Sequence, residues 1–402
     1  MIYLVVLFLL LLLSVRYDIY GKTRANEFWY GFMLVVFILV AGLRWRIGID
    51  TPQYLYKFYH EYPTIDKFSF EEFPIGKDPL FVLLNSIIKT IGGRFYIVQL
   101  THAAIVNILI FNYIKKHSKY IFTCLFFYAI TCYTTYNMEI MRGSLSIVLC
   151  LYANDYILEK KWLKGYSLYF LALMFHVQTI LLFILPILFF LKFNKVGVVF
   201  LFGAYLLGII IMDVLGDYLF LFEDNESISR KVSIYSRSEK YGAQNGNLNL
   251  YFIQILPLLI YVLVSFIYIK IKYTNSSLLK FEPFIFLGVM FILIRMNLEI
   301  AYRYVDYFKI YFVLFFSEFF IKLIDGARVI SKEVAVFRSY VIFIPFFLVF
   351  MVYNYILSKE YSLRYTPYSS VIERIVSMKR ENMYIDLNAS KDFYPSANKY
   401  EY

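Results

Sequence analysis

The chain has 402 residues, of which 60% are hydrophobic, 21% aromatic and only 17% charged, and its mean hydropathy is +0.62. A soluble protein carries far more charge, so the composition predicts an integral membrane protein, an all-α polytopic transmembrane bundle. The net charge of +11 does not indicate a nucleic-acid partner, because the lysines lie in short clusters between long apolar runs, as in cytoplasmic loops.

The apolar runs define the predicted helices. Those that approach the length of a transmembrane span are 2–15, 27–43, 96–114, 119–134, 143–159, 196–212, 249–269, 281–296, 303–323 and 339–357. Several are shorter than the usual span of about 20 residues, so interfacial tyrosines and lysines must complete them. The first is expected to be a retained helix, because no basic segment precedes it and no small-residue cleavage site follows.

Two segments break a simple alternation of spans. The run 79–91 is short and ends in two glycines, which favours a re-entrant helix, while the run 166–191 is too long for one span and is predicted to form a helical hairpin turning near His176. With these broken helices the chain has about 10–12 spans in a transmembrane domain over 1–357. Long outer loops are expected at 44–78 and 213–248, and a polar tail at 358–402 that is loosely ordered from about residue 370.

The first candidate site follows the second predicted helix, in the stretch 41–62. It places Arg44, Arg46 and Asp50 beside a series of tyrosines that includes Tyr54. Cations, a carboxylate and hydroxyl-bearing rings suit an anionic, sugar-bearing ligand at a membrane surface. The alternative is that arginine and aromatic residues only anchor a helix end at the headgroup level.

Two further candidates lie in the middle of the chain. Glu139 and Arg142 are three residues apart and either form a local ion pair or leave Arg142 to bind an anion. His176 lies in an apolar stretch, either as a hydrogen-bonded packing residue or as a base, since an ionisable group is costly to keep in a membrane segment.

A fourth candidate opens the last third of the chain. Arg295, Glu299 and Arg303 recur every four residues, and Asp306 follows three residues later. They form either a self-neutralising ladder or, because positive charge is in surplus, a second anion site. Cys124, Cys132 and Cys150 have no metal-like spacing, so they predict neither a zinc nor a redox site. Nothing in the sequence requires a metal or another cofactor, since the arginines could neutralise an anion, but acidic residues such as Glu223 and Asp224 leave a metal open.

Taken in order, these residues resemble the EpsG-like membrane proteins of bacterial exopolysaccharide and capsule clusters, relatives of the Wzy-type polysaccharide polymerases. The motifs that carry the resemblance are Arg44, Gly48, Asp50 and Tyr54; Asp78-Pro79; Arg142; Phe175-His176; Arg303-Tyr304; and Tyr365-Thr366-Pro367-Tyr368. The chain departs from the family pattern at Ile49, Thr51, Gly143 and Gln178.

The resemblance implies a multi-pass glycosyltransferase of the cytoplasmic membrane that joins undecaprenyl-pyrophosphate-linked repeat units at the outer face. Its expected partners are that lipid-linked oligosaccharide, membrane lipid, and a flippase and chain-length regulator of the same pathway. The predicted catalytic residues are Asp50, Arg142 and His176. The predicted substrate-binding residues are Arg44, Arg46, Tyr54, Glu139, Arg295, Arg303 and Tyr304. The alternatives are a lipid-linked glycan ligase or single-sugar transferase, and a transporter that flips the lipid-linked unit.

Overall fold

The computed structural model describes residues 2–48, 50–217, 256–296, 298, 301–325, 365 and 368–373. Regular structure in these residues is helical, apart from one isolated antiparallel bridge between Arg44 and Ser370, and the predicted all-α class is thereby confirmed. The chain divides into two compact units, Met1–Ile184 with Leu323–Tyr402, and Leu185–Lys322.

Over residues 2–175 of the first unit, the described part of the chain forms eight α-helices. They are α1 (Ile2–Leu13), α2 (Asn26–Gly42), α3 (Thr51–His60), α4 (Pro79–Thr90), α5 (Phe95–His117), α6 (Ile121–Thr131), α7 (Met141–Leu158) and α8 (Trp162–Phe175). A π-helical turn, Ser14–Ile19, extends α1, and another, Thr135–Glu139, leads into α7. Short 3₁₀ turns at Ile65–Lys67 and Ile75–Lys77 interrupt the connection from α3 to α4.

The core of this unit lies between helices that are apolar on nearly every side. Helix α7 packs against α5 and most closely against α8, α2 packs on α5, and α1 packs on α6. Gly165 permits the close approach of α8 to α7, because a Cβ at that position would lie 2.5 Å from the side chain of Ile157. The packing fixes the N-terminal end of α7, which carries Arg142, against α8 and the chain that follows it.

The predicted break near His176 is present. Helix α8 ends at Phe175, His176 is extended, and a 3₁₀ helix Val177–Phe183 follows. The Phe183 ring lies 5.8 Å from that of Tyr169 and 6.0 Å from that of Tyr166, so the chain folds back along α8 as a hairpin. The returning arm is 3₁₀ rather than α-helical.

The second unit contains α9 (Lys195–Asp217), α10 (Leu256–Lys272), α11 (Glu282–Arg295), the single turn α12 (Tyr302–Val305) and α13 (Lys309–Asp325). Helix α11 is its centre and packs against α9, α10 and α12. Glu282 at the start of α11 accepts hydrogen bonds from Lys270 Nζ at 2.6 Å and from the Phe193 amide at 3.0 Å, which compensates the burial of its charge.

In the part of the chain that the structure describes, three helical segments are long and apolar enough to cross a membrane: Ile2–Ile19, Phe95–His117 and Ser277–Arg295. Shorter apolar helices occur at Asn26–Gly42, Pro79–Thr90, Ile121–Thr131, Val177–Leu188 and Lys195–Ile210. The predicted run 339–357, and the outer loop 213–248 from residue 218 onward, lie outside the described residues.

Candidate active site

The centre of the candidate site is a carboxylate held by residues from two other parts of the first unit. Asp78 precedes α4, and its Oδ2 accepts a hydrogen bond from Nη1 of Arg142 at the start of α7. Its Oδ1 accepts a hydrogen bond from the Val177 amide at 3.1 Å and lies 3.6 Å from His176 Nδ1. The α4, α7 and post-α8 segments therefore meet at one acidic side chain.

The backbone explains how Asp78 reaches this position. Asp78 has φ +56° and ψ +58°, the left-handed conformation that aspartate tolerates better than most residues. Pro79 follows as the first residue of α4, where its fixed φ suits a helix start. A carboxylate at the N-terminal end of a helix is also stabilised by the helix dipole. The left-handed residue thus turns the chain into α4 while its side chain extends toward Arg142.

The surroundings of Asp78 keep it ionised. Burial opposes ionisation, but the adjacent His176 and the Arg142 guanidinium outweigh that effect and lower the pKa of the carboxyl below its ordinary value. At neutral pH, Asp78 is therefore an anion that holds the cation beside it. This protonation state suits a positioning residue better than a proton acceptor.

Arg142 is the cation of the site. Its side chain is 31% exposed, and its Cζ lies 5.7 Å from the centroid of the Tyr54 ring. The Tyr54 and Tyr62 rings both pack against Phe81, at 5.6 and 6.5 Å. The Nε atom of Arg142 is buried and donates to no partner among the described residues. One face of the guanidinium thus pairs with Asp78, and a further donor remains for another acceptor.

His176 is fixed from both sides. Its Nε2 lies 3.0 Å from Gln178 Oε1, and its backbone carbonyl accepts a hydrogen bond from the Thr179 amide at 3.1 Å. The Thr179 hydroxyl hydrogen-bonds that of Ser146 on α7. Gln178, one of the departures from the family pattern, therefore holds the imidazole ring.

Arg44 lies at the end of α2 and is fully buried, with 0% exposure. Its Nη1 donates to the Ala41 carbonyl at 2.6 Å, its Nε donates to the Ile47 carbonyl at 3.1 Å, and its Nη2 contacts Met141 Sδ at 3.6 Å. The expected direct grip on a ligand does not match this environment, because the guanidinium faces the protein's own backbone. Its contacts instead fix the 44–50 loop beside the start of α7.

The 44–50 loop rests on the π-helical turn before α7. Gly48 has φ +100°, and a Cβ there would lie 2.2 Å from the Met138 carbonyl oxygen, so only glycine fits. The Thr51 hydroxyl donates to the Ile47 carbonyl at 2.7 Å and lies 3.5 Å from that of Met138. The two predicted site stretches, 41–62 and 137–142, are therefore in contact.

A short segment near the C-terminal end of the chain closes the same loop. The Trp45 amide donates to the Ser369 carbonyl at 2.9 Å, and the Val371 amide donates to the Leu43 carbonyl at 2.8 Å. The Tyr368 hydroxyl donates to the Val40 carbonyl at 3.0 Å. Although the tail was expected to be loosely ordered from about residue 370, residues 368–371 are bound to the loop that carries Arg44.

The remaining predicted residues of this unit lie around the centre. Asp50 occupies the position before α3 and is half-buried. Arg46 has φ +48°, and its Cζ lies 5.6 Å from the Trp45 ring. Glu139 is half-buried in the π-helical turn. The local Glu139–Arg142 pair considered from the spacing is not what neutralises Arg142, whose carboxylate partner is Asp78.

In the second unit, the fourth candidate is a cluster around one ring. The Cζ atoms of Arg295 and Arg303 lie 5.8 and 5.9 Å from the Tyr302 centroid. Tyr304 stacks on Phe291 at 5.2 Å. Asp306 is buried and pairs with Lys309 Nζ at 2.6 Å, so a cation outside the predicted ladder neutralises it. Glu299 lies outside the described residues.

Sequence reasoning missed Asp78 as a site residue. It entered only as half of the Asp-Pro pair that opens a helix, and its partner lies 64 residues later in the chain. The available signal was an aspartate directly before a helix-opening proline, next to a loop rich in tyrosine. Among the described residues, no group of three or more His, Cys, Asp or Glu side chains is placed to hold a metal ion.

Comparison with known protein families identifies the family of this chain. The family model described as the EpsG family matches residues 27–370, which is most of the chain. No curated protein and no solved structure matches it. The matched region includes Asp78, Arg142 and His176, and it ends within the segment 368–371 that binds the loop after α2.

Proposed function

The chain belongs to the EpsG family and is a membrane protein of exopolysaccharide biosynthesis, and from this premise we propose that it is a polysaccharide polymerase. Its donor would be a growing glycan on undecaprenyl pyrophosphate and its acceptor the terminal sugar of an incoming lipid-linked unit. The reaction would take place at the outer face of the cytoplasmic membrane. A flippase would supply the units, and a chain-length regulator would act on the product.

The observation that carries the proposal is the environment of Arg142. Its guanidinium is held by Asp78, lies over an aromatic ring, and keeps a buried Nε donor without a partner among the described residues. A buried donor without a partner costs about 1–3 kcal/mol. An oxygen of a bound diphosphate would satisfy it, and arginine recognises such oxygens through paired N–H groups.

The proposed reaction exchanges one bond for another at the anomeric carbon of the growing glycan. The bond from that carbon to the diphosphate oxygen breaks, and the acceptor hydroxyl oxygen forms the new glycosidic bond. Undecaprenyl pyrophosphate leaves, and the hydroxyl proton passes to a base. Arg142 would stabilise the negative charge that develops on the leaving diphosphate, the type of interaction that contributes most to many enzymes.

His176 and Asp50 are the two candidates for the base. His176 lies beside the Asp78–Arg142 pair, whereas Asp50 lies at the start of the helix that carries Tyr54. We favour His176, because Asp78 near Nδ1 stabilises a positively charged imidazole after proton transfer. Tyr54 and Tyr62 are buried against Phe81, so they support the Arg142 guanidinium rather than provide a free ring face for a sugar.

Arginine substitutions in a deletion strain test the proposal. Arg142→Gln should abolish polymer while the amount of membrane protein is unchanged, and Arg142→Lys should lose most activity because lysine lacks the planar fork. The matched control is Arg16→Gln, which removes an exposed arginine of the first unit. Normal polymer with Arg142→Gln would refute the role of this residue as the diphosphate ligand.

The intermediates that accumulate separate the rival functions. A strain without the polymerase accumulates single lipid-linked units, whereas loss of a ligase leaves normal lipid-linked polymer that is not transferred. Purified protein that polymerises lipid-linked units in detergent, without a transmembrane gradient, would exclude a flippase. Protein that only moves the lipid across vesicles would exclude the polymerase.

A further inference from the structure

The connection between α3 and α4 presents a cluster of aromatic rings that the reaction above does not use. This segment, residues 65–77, runs directly into Asp78. Phe70 is 54% exposed, and its ring stands edge-on to that of Phe68 at 5.1 Å. The rings of Phe68 and Phe73 are parallel, with centroids 6.0 Å apart. Phe70 therefore has a fixed orientation while a large part of its ring faces outward.

The segment is held by specific hydrogen bonds. The Ile65 amide donates to the Thr90 hydroxyl on α4 at 2.8 Å. The Glu71 amide donates to the Ser69 hydroxyl at 3.1 Å, and Lys77 Nζ donates to the Glu72 carbonyl at 3.0 Å. An ordered ring cluster loses little conformational entropy when it binds a ligand, which favours recognition.

The charges of the segment distinguish between two kinds of partner. Its acidic residues are Asp66, Glu71 and Glu72, and its basic residues are Lys67 and Lys77. The Thr64 hydroxyl, by hydrogen bonding, lowers the pKa of Asp66. An excess of exposed carboxylates opposes binding to an anionic lipid surface, which attracts lysine and arginine. Carboxylates beside an aromatic face suit a sugar, whose hydroxyl groups donate hydrogen bonds and whose C–H face packs on the ring.

The position of the segment favours a ligand that also occupies the candidate site. The 3₁₀ turn Ile75–Lys77 packs against the 3₁₀ helix that follows His176. The turn that closes the segment therefore lies beside the chain that donates to Asp78, and the segment itself ends at Asp78. A glycan chain that extends from the site has the chemistry to contact the segment as well.

We propose that the 65–77 segment binds the growing polysaccharide, with the Phe70 ring packed on a sugar ring, and keeps the chain attached between additions. The inference rests on the proposed polymerase, whose product this glycan would be. It predicts that the segment controls the length of the polymer rather than the bond-forming step. Loss of the ring should release chains early.

Four variants distinguish ring packing from apolar contact. Phe70→Ala removes the ring, Phe70→Leu keeps the apolar volume without a flat face, and Phe70→Trp enlarges the face. The matched control is Ile65→Ala, which removes an apolar side chain that is 47% exposed in the same segment. Two measurements are made: polymer length on gels from a complemented deletion strain, and binding of oligosaccharides, cut from the host's own exported polysaccharide, to the detergent-purified protein.

The proposal expects Phe70→Ala and Phe70→Leu to weaken oligosaccharide binding about five- to tenfold and to shorten the polymer, with Phe70→Trp and Ile65→Ala near wild type. If Phe70→Leu behaves as wild type while Phe70→Ala and Ile65→Ala are impaired, the segment is a membrane contact and the proposal is wrong. Unchanged binding and length in all four variants would overturn it as well.

The two readouts separate this proposal from the proposed function. Arg142→Gln should abolish polymer but leave oligosaccharide binding unchanged. If a deletion strain still makes polymer while the purified protein binds the oligosaccharide through Phe70, the polymerase assignment fails and the glycan site stands. If the polymerase is established and the Phe70 variants match wild type in both assays, only the glycan site fails.

Discussion

The pair formed by Asp78 and Arg142 should couple energetically, and a double-mutant cycle measures that coupling. The variants are Asp78→Asn, Arg142→Gln and the double variant. Asparagine tolerates the left-handed backbone of Asp78 and keeps an oxygen for the Val177 amide, so the single change removes charge more than shape.

The magnitude follows from the exposure of the two side chains. Asp78 is 4% exposed and Arg142 31%. Breaking a buried ion pair costs about 3–5 kcal/mol and breaking an exposed one about 0–1 kcal/mol. This pair lies between the two cases, so each single variant should lose about 2 kcal/mol. The double variant should lose less than the sum, with a coupling of about 1–2 kcal/mol.

Thermal unfolding of the purified protein in detergent is the assay. At about 2 °C per kcal/mol for a domain of this size, each single variant should unfold about 4 °C below wild type. The pKa of Asp78 is lower in the folded protein than in the unfolded chain, where it is about 4. The contribution of the ionised Asp78 to the free energy of unfolding is therefore complete above about pH 4 and is lost as the pH falls through the folded-state pKa. The difference between wild type and Asp78→Asn should therefore be constant from pH 5 upward. A coupling below about 0.5 kcal/mol would refute the ion pair as the link between the two helix starts.

Three other predictions concern two elements that support the site and one buried carboxylate far from it. Gly48→Ala should abolish polymer and should lower the unfolding temperature more than Gly21→Ala does. Both glycines have a positive φ, but only a Cβ at Gly48 would collide with a backbone carbonyl. Equal effects of the two substitutions on the unfolding temperature would show that this close contact is unimportant. Deletion of 365–402 should abolish polymer, because residues 368–371 bind the loop after α2, whereas deletion of 374–402, which lies beyond the family match, should leave polymer synthesis intact. Immunoblots correct the polymer yields for the amount of each protein. Full activity of the 365–402 deletion would contradict the role of residues 368–371 in holding the loop. Asp155→Asn should lower the free energy of unfolding by about 2–4 kcal/mol, since this buried carboxylate accepts three side-chain hydrogen bonds. The amount of polymer made per folded protein should not change, because Asp155 lies about 20 Å along α7 from the site. A lower specific activity would show that the two ends of α7 are coupled.

The sequence predicts helices well here because apolar runs are a direct signal of burial. The runs 27–43 and 96–114 correspond to helices Asn26–Gly42 and Phe95–His117 within a few residues. The break at His176 was also predictable, since a run of that length with lysines at both ends must turn. The 3₁₀ form of the returning arm was not, because short-range periodicity does not distinguish it from an α-helix.

The sequence indicates which residues form the site better than it indicates which residues they contact. The sequence indicates Arg142 as a cation at a helix start and His176 as an ionisable group in an apolar run, and both lie beside Asp78. It does not indicate Asp78 as their common partner, because a contact between residues 64 positions apart depends on how the helices pack. Arg44 is the opposite case, a predicted ligand-binding residue that instead binds the protein's own backbone. A cation at a helix end indicates a functional or an interfacial residue, and only the coordinates reveal that its donors are taken up by the Ala41 and Ile47 carbonyls.

The contrast between the two arginines bears on how such a site can work. Arg44 is fully buried and donates to two fixed backbone carbonyls, so it contributes rigidity and has little capacity to bind a ligand. Arg142 pairs with one side-chain carboxylate, which can share the cation with an incoming anion. A diphosphate brings more charge than the Asp78 carboxylate and can also reach the buried Nε donor. Asp78 would then compensate the charge of Arg142 between reactions and keep the guanidinium in place during them. A site of this kind needs no rearrangement of helices to bind its substrate, because only the partner of Arg142 changes. The Arg44 loop beside it provides the rigid support that keeps the start of α7 in place.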